Sequence, residues 1–483
     1  MNTPNIVICL VDQMRMQAME FWNTPGFELP SANDPVHTPN LNRFARESLV
    51  LSKAVSNNPI CSPYRGMFMT GQYSHQSGVP SNCQSRNAPY GCELPATTRC
   101  WSDVLSDQGY SLGWIGKWHL DMPHAPYLDC ANNGGEMKWN EWCPPERRHG
   151  FDHWYAYGTY DMHLRPLYWH GEAAREDFHY VDQWGPEHET DRALEYLANA
   201  DGTWRQTDAP FALVVSMNPP HTPYNQVPEH LLERYRGMSE DELVNRPNVN
   251  KADHEGPATE RRHMANYLAM VEGIDQQFGR ILQSLDDNGL RDDTIVIFTA
   301  DHGCSLGSHD NRHKSIWYDE SLLVPFLARW PGHIAARHDS ELLLSVPDIA
   351  PTLLELSGHA AAIPATVTGT SQAARFLSAA APVPSSALYQ LMPASDPASG
   401  RRGVRTASHT MVIDLGFDGG TPATYLHDNE ADPYQLRNVA TEQPELLATL
   451  IATELRPWLE RLQDPWIAAA TAAGALNQPQ AAG

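Results

Sequence analysis

Residues 61–66 read Cys-Ser-Pro-Tyr-Arg-Gly, and Thr70-Gly71-Gln72 closes the same stretch. Ser62 is a good helix N-cap and Pro63 suits the first helical position, so the pattern predicts a helix that begins here. Cys61 would then stand just outside the positive end of that helix, where anions are favoured. That position suits a nucleophile that attacks an anionic ester. A buried free thiol is the plainer alternative, since Cys is often found in cores.

Outward from this stretch, short apolar runs alternate with helical patterns. Asn5 to Val11 reads as a buried parallel strand and leads directly into Asp12 and Gln13. Asn40 to Leu49 has helical spacing, and Trp101 to Gln108 is a second helix ending at Gly109. Tyr110 to Ile115 is a strand that runs into Gly116-Lys117-Trp118-His119. Phe211 to Met217 repeats the pattern and ends in Asn218-Pro-Pro-His221-Thr-Pro-Tyr224. A long helix spans about Arg261 to Leu285, and Thr294 to Thr299 is a strand leading to Ala300-Asp301-His302-Gly303. The alternation predicts an α/β fold with a mostly parallel sheet covered on both faces. Ligands bind outside the carboxyl ends of such strands, and four of these ends carry metal- or anion-binding groups.

Cys-x-Pro-x-Arg followed closely by Thr-Gly resembles the signature of the type I sulfatases, within the alkaline-phosphatase-like superfamily. The resemblance implies an α/β/α sandwich with a smaller C-terminal α+β subdomain. It also implies that Cys61 is oxidised to formylglycine by a formylglycine-generating or sulfatase-maturing enzyme. In that family the aldehyde hydrate attacks the sulfur of an O-sulfate ester, releasing alcohol and inorganic sulfate. Carried over residue by residue, Asp12, Gln13, Asp301 and His302, together with Cys61, surround one divalent metal. Ca²⁺ comes first, with Mg²⁺ or Mn²⁺ as alternatives. Arg65, one helical turn beyond Cys61, would reach back to the nucleophile. Lys117 would contact sulfate oxygens and His119 would accept a proton from the diol. His221 or Lys314 would protonate the departing oxygen. Many sulfatases carry Asp and Asn where this chain has Gln13 and His302. Those two positions keep a phosphonate monoester or phosphodiester hydrolase as the rival reading.

The bulk numbers limit the partners. A net charge of -24 disfavours nucleic acid and anionic membranes, and it requires a local positive cluster for an anionic substrate. Arg65, Lys117 and Lys314 are candidates for that cluster. The expected partner is a small sulfate ester; a homo-oligomer is compatible with the sequence. The N-terminal residues lack a basic region before a long apolar run, which leads us to expect a cytoplasmic protein. The eight cysteines read as free thiols. Eight of the fourteen tryptophans fall between Trp101 and Trp184; they suit either a sugar-binding surface or a packed insertion. We expect a catalytic domain over residues 1–375 and a C-terminal subdomain over 376–465, with a small antiparallel sheet (Arg402 to Asp414, Thr424 to His427) and a helix over Pro444 to Leu462. Residues 466–483 are expected to be a weakly ordered tail.

Overall fold

Four buried, mainly apolar strands build the centre of the molecule, described here over residues 3–476 of a computed structural model. They are β1 (Asn5–Val11), β3 (Ser111–Lys117), β7 (Phe211–Met217) and β8 (Thr294–Ala300). Around them stand β2 (Leu49–Val55), β4 (His153–Tyr157), β5 (Leu167–His170), β6 (His179–Tyr180), β9 (Leu323–Arg329), β10 (Arg337–Asp339) and β11 (Leu344–Ser345). The sheet order is β10-β2-β9-β8-β1-β7-β3-β4-β5-β6, with β11 also on β2. The pairs β8–β1, β1–β7 and β7–β3 are all parallel, so their carboxyl ends share one edge. β9 runs antiparallel to both β2 and β8. Burial on both faces explains why the central strands are continuous runs of Ile, Val, Leu and Phe rather than alternating ones.

Helices cover both faces. α1 (Pro39–Ala45), α4 (Gly185–Ala198) and the long helix Met264–Asp287 pack together as one layer. α2 (Cys61–Thr70), α3 (Trp101–Asp107) and the helix Val346–Leu356 form the other. The long helix starts later than its sequence pattern, because Pro257–His263 winds as a 3₁₀ segment ahead of it. Leu49 has helical spacing with Ala45, yet it opens β2 opposite Ala328. Tertiary pairing overrides the local pattern there.

α2 begins two residues earlier than predicted. Ile60, extended at φ −142° and ψ 145°, is the N-cap, and Cys61 is the first helical residue. The Ser62 hydroxyl caps nothing in the helix; it accepts the Cys83 N–H at 3.0 Å instead. All ten residues of α2 are buried, and Gly71, left-handed at φ 66°, ends it by donating to the Met67 carbonyl. 

A second sheet stacks β12 (Ser386–Leu391), β13 (Arg401–Thr406), β14 (His409–Asp414) and β15 (Ala423–Asp428) antiparallel in chain order. Its core includes Leu388, Val404, Met411, Leu426, Leu455 and Leu459. The helix expected over Pro444 to Leu462 is broken by a π-helical turn at Ile451–Leu455. The tail needs a correction: Trp466–Ala472 is helical, and Trp466 is wholly buried beside Arg402. Residues 477–483 lie outside the described part. All eight cysteines are free and buried. Among the described residues no helix is long and apolar enough to cross a membrane.

Candidate active site

The shared edge of β8, β1, β7 and β3 delivers Asp301, Asp12, Asn218 and Lys117 side by side. Gln13 turns the chain sharply after β1 at φ 68°, and its N–H donates to Asp301 Oδ1 at 3.0 Å, binding two strand ends together. The same oxygen accepts the His302 N–H at 2.9 Å. Gly116 lies at the β3–β7 contact with φ 96°; a side chain there would collide with the Ser216 carbonyl. His119 and Ser315 also have positive φ, at 54° and 69°. Backbone strain of this kind gathers where side chains must be aimed.

Cys61 Sγ lies at the point of convergence. Lys314 Nζ is 3.0 Å away, His302 Nε2 3.3 Å, Asp12 Oδ1 3.7 Å and Lys117 Nζ 3.9 Å. Burial works to raise the Cys61 pKa, but Lys117 and Lys314 above all outweigh it and hold the thiol well below its usual range. The position is therefore built for an anion. Burial likewise opposes the charge on Lys314, and the negative groups Cys61, Asp12 and Asp301 more than restore it.

Two histidine tautomers follow from their partners. His302 Nδ1 lies 2.9 Å from the Gly303 carbonyl, an acceptor only, so Nδ1 carries the proton. Nε2 is left as a lone pair facing Asp12 and Asp301, both at 3.5 Å. His119 Nε2 lies 3.2 Å from the Cys83 carbonyl, so Nδ1 is its free base atom, and it has no hydrogen-bond partner. Burial holds the His119 pKa below the ordinary value, keeping the ring neutral.

The carboxylates are shared rather than neutralised. Asp12 Oδ2 takes Lys117 Nζ at 2.6 Å and stands 3.5 Å from Arg65. Burial pushes Asp12 up, yet Lys117, His221 and Lys314 hold it well below the normal range. Asp301 is pushed up to about 6 by burial and by the charge of Asp12. Oxygens of Asp12 and Asp301, His302 Nε2 and Cys61 Sγ all fall within 4.8 Å of one another. Gln13 Oε1 is buried and without a hydrogen bond, while its Nε2 is engaged by Tyr224 at 2.9 Å. Two crowded carboxylates, an unprotonated imidazole nitrogen and an orphaned amide oxygen fit a hard divalent cation.

Arg65 departs from expectation. Its Nη1 donates to the Lys117 carbonyl and to Ser216 Oγ, both at 2.8 Å, and its Nη2 lies 3.3 Å from Asp301. It braces the carboxylates and the end of β3 instead of reaching back to Cys61. Asn218 is a residue that motif reading overlooked: Oδ1 accepts from Lys117 Nζ at 3.0 Å, aiming the ammonium. Asp161 is another. Its Oδ1 lies 3.4 Å from His221 Nδ1 and accepts from Asn218 Nδ2 at 3.2 Å. Burial and Lys314 work against a charged His221, but Asp12 and Asp161 prevail and raise it to about 9. An Asn at a strand end reads as turn chemistry, and Asp161 lies within an aromatic stretch, so neither had a clear signal. His313 contacts Tyr224 and lies beside the site. The aromatic stretch resolves mostly into packing: Trp114, Trp118 and Trp154 interlock edge to face in the core. Trp139 stays partly exposed, 6.4 Å from the His119 ring.

The sulfatase family model matches residues 4–359, which include every residue of this cluster. The chain belongs to the sulfatase family. A second model, for the C-terminal region of N-sulphoglucosamine sulphohydrolase, matches residues 307–464. An endo-4-O-sulfatase from Bacteroides thetaiotaomicron is 39 % identical, covering 96 % of this chain and 93 % of its own. An ulvan-active sulfatase from Formosa agariphila is 30 % identical over 90 % of this chain and 77 % of its own. A solved structure described under glycosaminoglycan metabolism in Bacteroides thetaiotaomicron superimposes with a TM-score of 0.90 at 36 % identity, covering 99 % of this chain and 100 % of that one. The protein is thus a sulfuric ester hydrolase.

Proposed function

We propose that this sulfatase removes an O-sulfate group from a sugar, using formylglycine made from Cys61 and one divalent cation. The observation that carries the reading is the crowding of Lys314, His302, Asp12 and Lys117 within 3.0–3.9 Å of a buried Sγ in the first turn of α2. That sulfur marks where an oxygen of the hydrated aldehyde would sit. The aldehyde hydrate supplies one hydroxyl to attack sulfur and a second whose deprotonation lets the sulfate leave. Asp12, Gln13, Asp301 and His302 would hold the cation, Ca²⁺ first with Mg²⁺ or Mn²⁺ as alternatives; when bound it favours ionised oxygen and offsets charge on the ester.

The chain's own residues divide the remaining work. Lys117, aimed by Asn218, and Lys314 bind the sulfate oxygens as fixed charges. His119 Nδ1 is the neutral base beside the nucleophile. His221, raised to about 9, is protonated at neutral pH and closer to a useful acid than Lys314, so it protonates the departing sugar oxygen. Cys61 is 1 % exposed, so its conversion requires a maturing enzyme that meets the chain before it folds.

A sugar substrate is supported by the names of the relatives and by Trp139, an aromatic face beside His119. Intact mass of the Cys61 peptide from protein co-expressed with a maturing enzyme tests the nucleophile. Formylglycine is lighter than cysteine by the difference between SH₂ and O, and full activity with unconverted cysteine defeats the mechanism. Rates on defined sulfated mono- and disaccharides test the substrate. An aryl phosphonate preferred by orders of magnitude would return the phosphonate hydrolase reading.

A further inference from the structure

Where the catalytic and C-terminal parts meet, the surface opens into a cavity of about 490 Å³. That volume is typical of a ligand site rather than of a packing defect. Its walls come from segments the catalytic cluster does not use. They are the start of the helix Val346–Leu356, the 370–386 connection, the π-helical turn Ile451–Leu455 and the helix Arg456–Arg461. Cavity and nucleophile lie at opposite ends of α2. The helix carries the chain about 15 Å from Cys61 to Thr70. Tyr73, just beyond it, packs edge-on against Trp458 of the cavity wall at 5.6 Å.

Several features mark a built site. The Trp458 indole is partly exposed yet fixed, with Nε1 donating to Ser386 Oγ at 2.9 Å. Arg461 is exposed, lies 4.1 Å from the centre of that ring and makes no ion pair among the described residues. Arg375, the other cation of the wall, is already taken by Asp339 and Glu341. The π turn, a distortion frequent at functional sites, brings Thr453 and Glu454 into the wall, with Glu454 Oε2 accepting from the Ser385 and Ser386 hydroxyls at 2.8 and 2.6 Å. Asp348 is 5 % exposed; burial pushes it up to about 7 against two backbone N–H bonds and Arg461. At neutral pH it therefore adds only part of a charge against an anion.

We infer that this cavity binds an anionic saccharide unit, a pyranose ring placed against Trp458 with its carboxylate or sulfate group on the free guanidinium of Arg461. Arg suits such planar or tetrahedral oxyanions, and an indole face suits the apolar side of a sugar. The inference rests on the sugar-sulfatase reading and extends it. A longer chain would engage Cys61's site and, a helix length away, this second one.

The test uses the full chain carrying Cys61→Ala, titrated with glucuronate, glucose 6-sulfate and glucose by saturation-transfer NMR. The two anionic sugars should bind and glucose should not. Arg461→Ala should weaken the anions by at least about tenfold, the scale of one charge-assisted contact. Thr453→Trp, at an exposed position of the π turn, should block the cavity to the same extent. Preference for the sulfate or for the carboxylate sugar identifies the anion. In the Cys61 enzyme neither change should alter kcat/KM on an aryl sulfate, while both should raise KM for a chondroitin sulfate octasaccharide at unchanged kcat. Equal affinities for parent and Arg461→Ala, or equal loss on the aryl sulfate, overturn the inference. An enzyme inactive on every sulfate ester defeats the assigned function instead, and the glucuronate titration still decides the cavity.

Discussion

Arg65 and Arg402 are both fully buried, one at the catalytic edge and one in the small C-terminal sheet, yet they are satisfied in opposite ways. Arg402 forms a closed fork with Asp464, Nε at 2.7 Å and Nη2 at 3.0 Å, over Trp466. Arg65 has two carboxylates within reach, Asp12 at 3.5 Å and Asp301 at 3.3 Å, and closes on neither; its Nε has no partner. A structural pair uses up its lone pairs, whereas a catalytic pair keeps them for something else. The two regions should therefore fail differently when a charge is removed.

The largest effect belongs to the nucleophile. Cys61→Ala should lower kcat by at least about 10⁴-fold, the scale seen when a covalent catalyst is deleted. The melting temperature should barely move, because Ala still fits the first turn of α2. Activity within tenfold of the parent would mean that Cys61 is only a core thiol.

Next comes the closed pair. Asp464→Ala leaves Arg402 buried and unmatched, and should cost about 3–5 kcal/mol of stability by denaturant unfolding. Burial raises Asp464, but Arg402 outweighs it and holds the pKa below the ordinary value. Its stabilising contribution is therefore present above about pH 4 and lost as pH falls through the lowered value. Stability unchanged by the substitution would remove the contrast with Arg65.

Asp301→Asn probes the open pair. Without added metal the substitution should leave the melting temperature unchanged or raise it, since it relieves repulsion with Asp12. It should abolish the rise in melting temperature that Ca²⁺, Mg²⁺ or Mn²⁺ gives the parent, and reduce kcat at least about a hundredfold. A variant that still gains stability from the cation would move the metal site elsewhere.

How much of this could be read beforehand differs between the same two regions. The edge was legible because apolar runs stop abruptly at Asp12, Lys117 and Asp301, and a parallel sheet must gather those ends. What escaped was direction. No spacing rule says that Arg65 turns to Ser216 and the Lys117 carbonyl, or that Asn218 aims Lys117. Those contacts depend on β3 lying against β7, which is a long-range fact. In the C-terminal part even order was misjudged. The Ala-rich segment after Pro465 lacks a periodic apolar face, yet Trp466 folds it under Arg402. Leu49 continues the helical spacing that precedes it, and its pairing with Ala328 across the sheet makes it a strand residue instead.

The smallest expected effect separates charge from chemistry at the rim. His221 is raised to about 9 from an ordinary value near 6.5, with burial and Lys314 opposing and Asp12 and Asp161 prevailing. It is protonated below that pH and loses its proton as pH rises through it. If it delivers the proton to the departing sugar oxygen, kcat on a sugar sulfate should fall along an alkaline limb near pH 9. Asp161→Asn removes one of the two groups that sustain the charge, so the limb should move to lower pH while the rate at pH 6 changes only a few-fold. An aryl sulfate, whose leaving group needs no proton, should show little of the limb in either enzyme. A limb that stays in place in Asp161→Asn, or that is equally steep on the aryl ester, would reassign the proton to Lys314, and Asp161 would then serve only to seat the loop that Asn218 crosses.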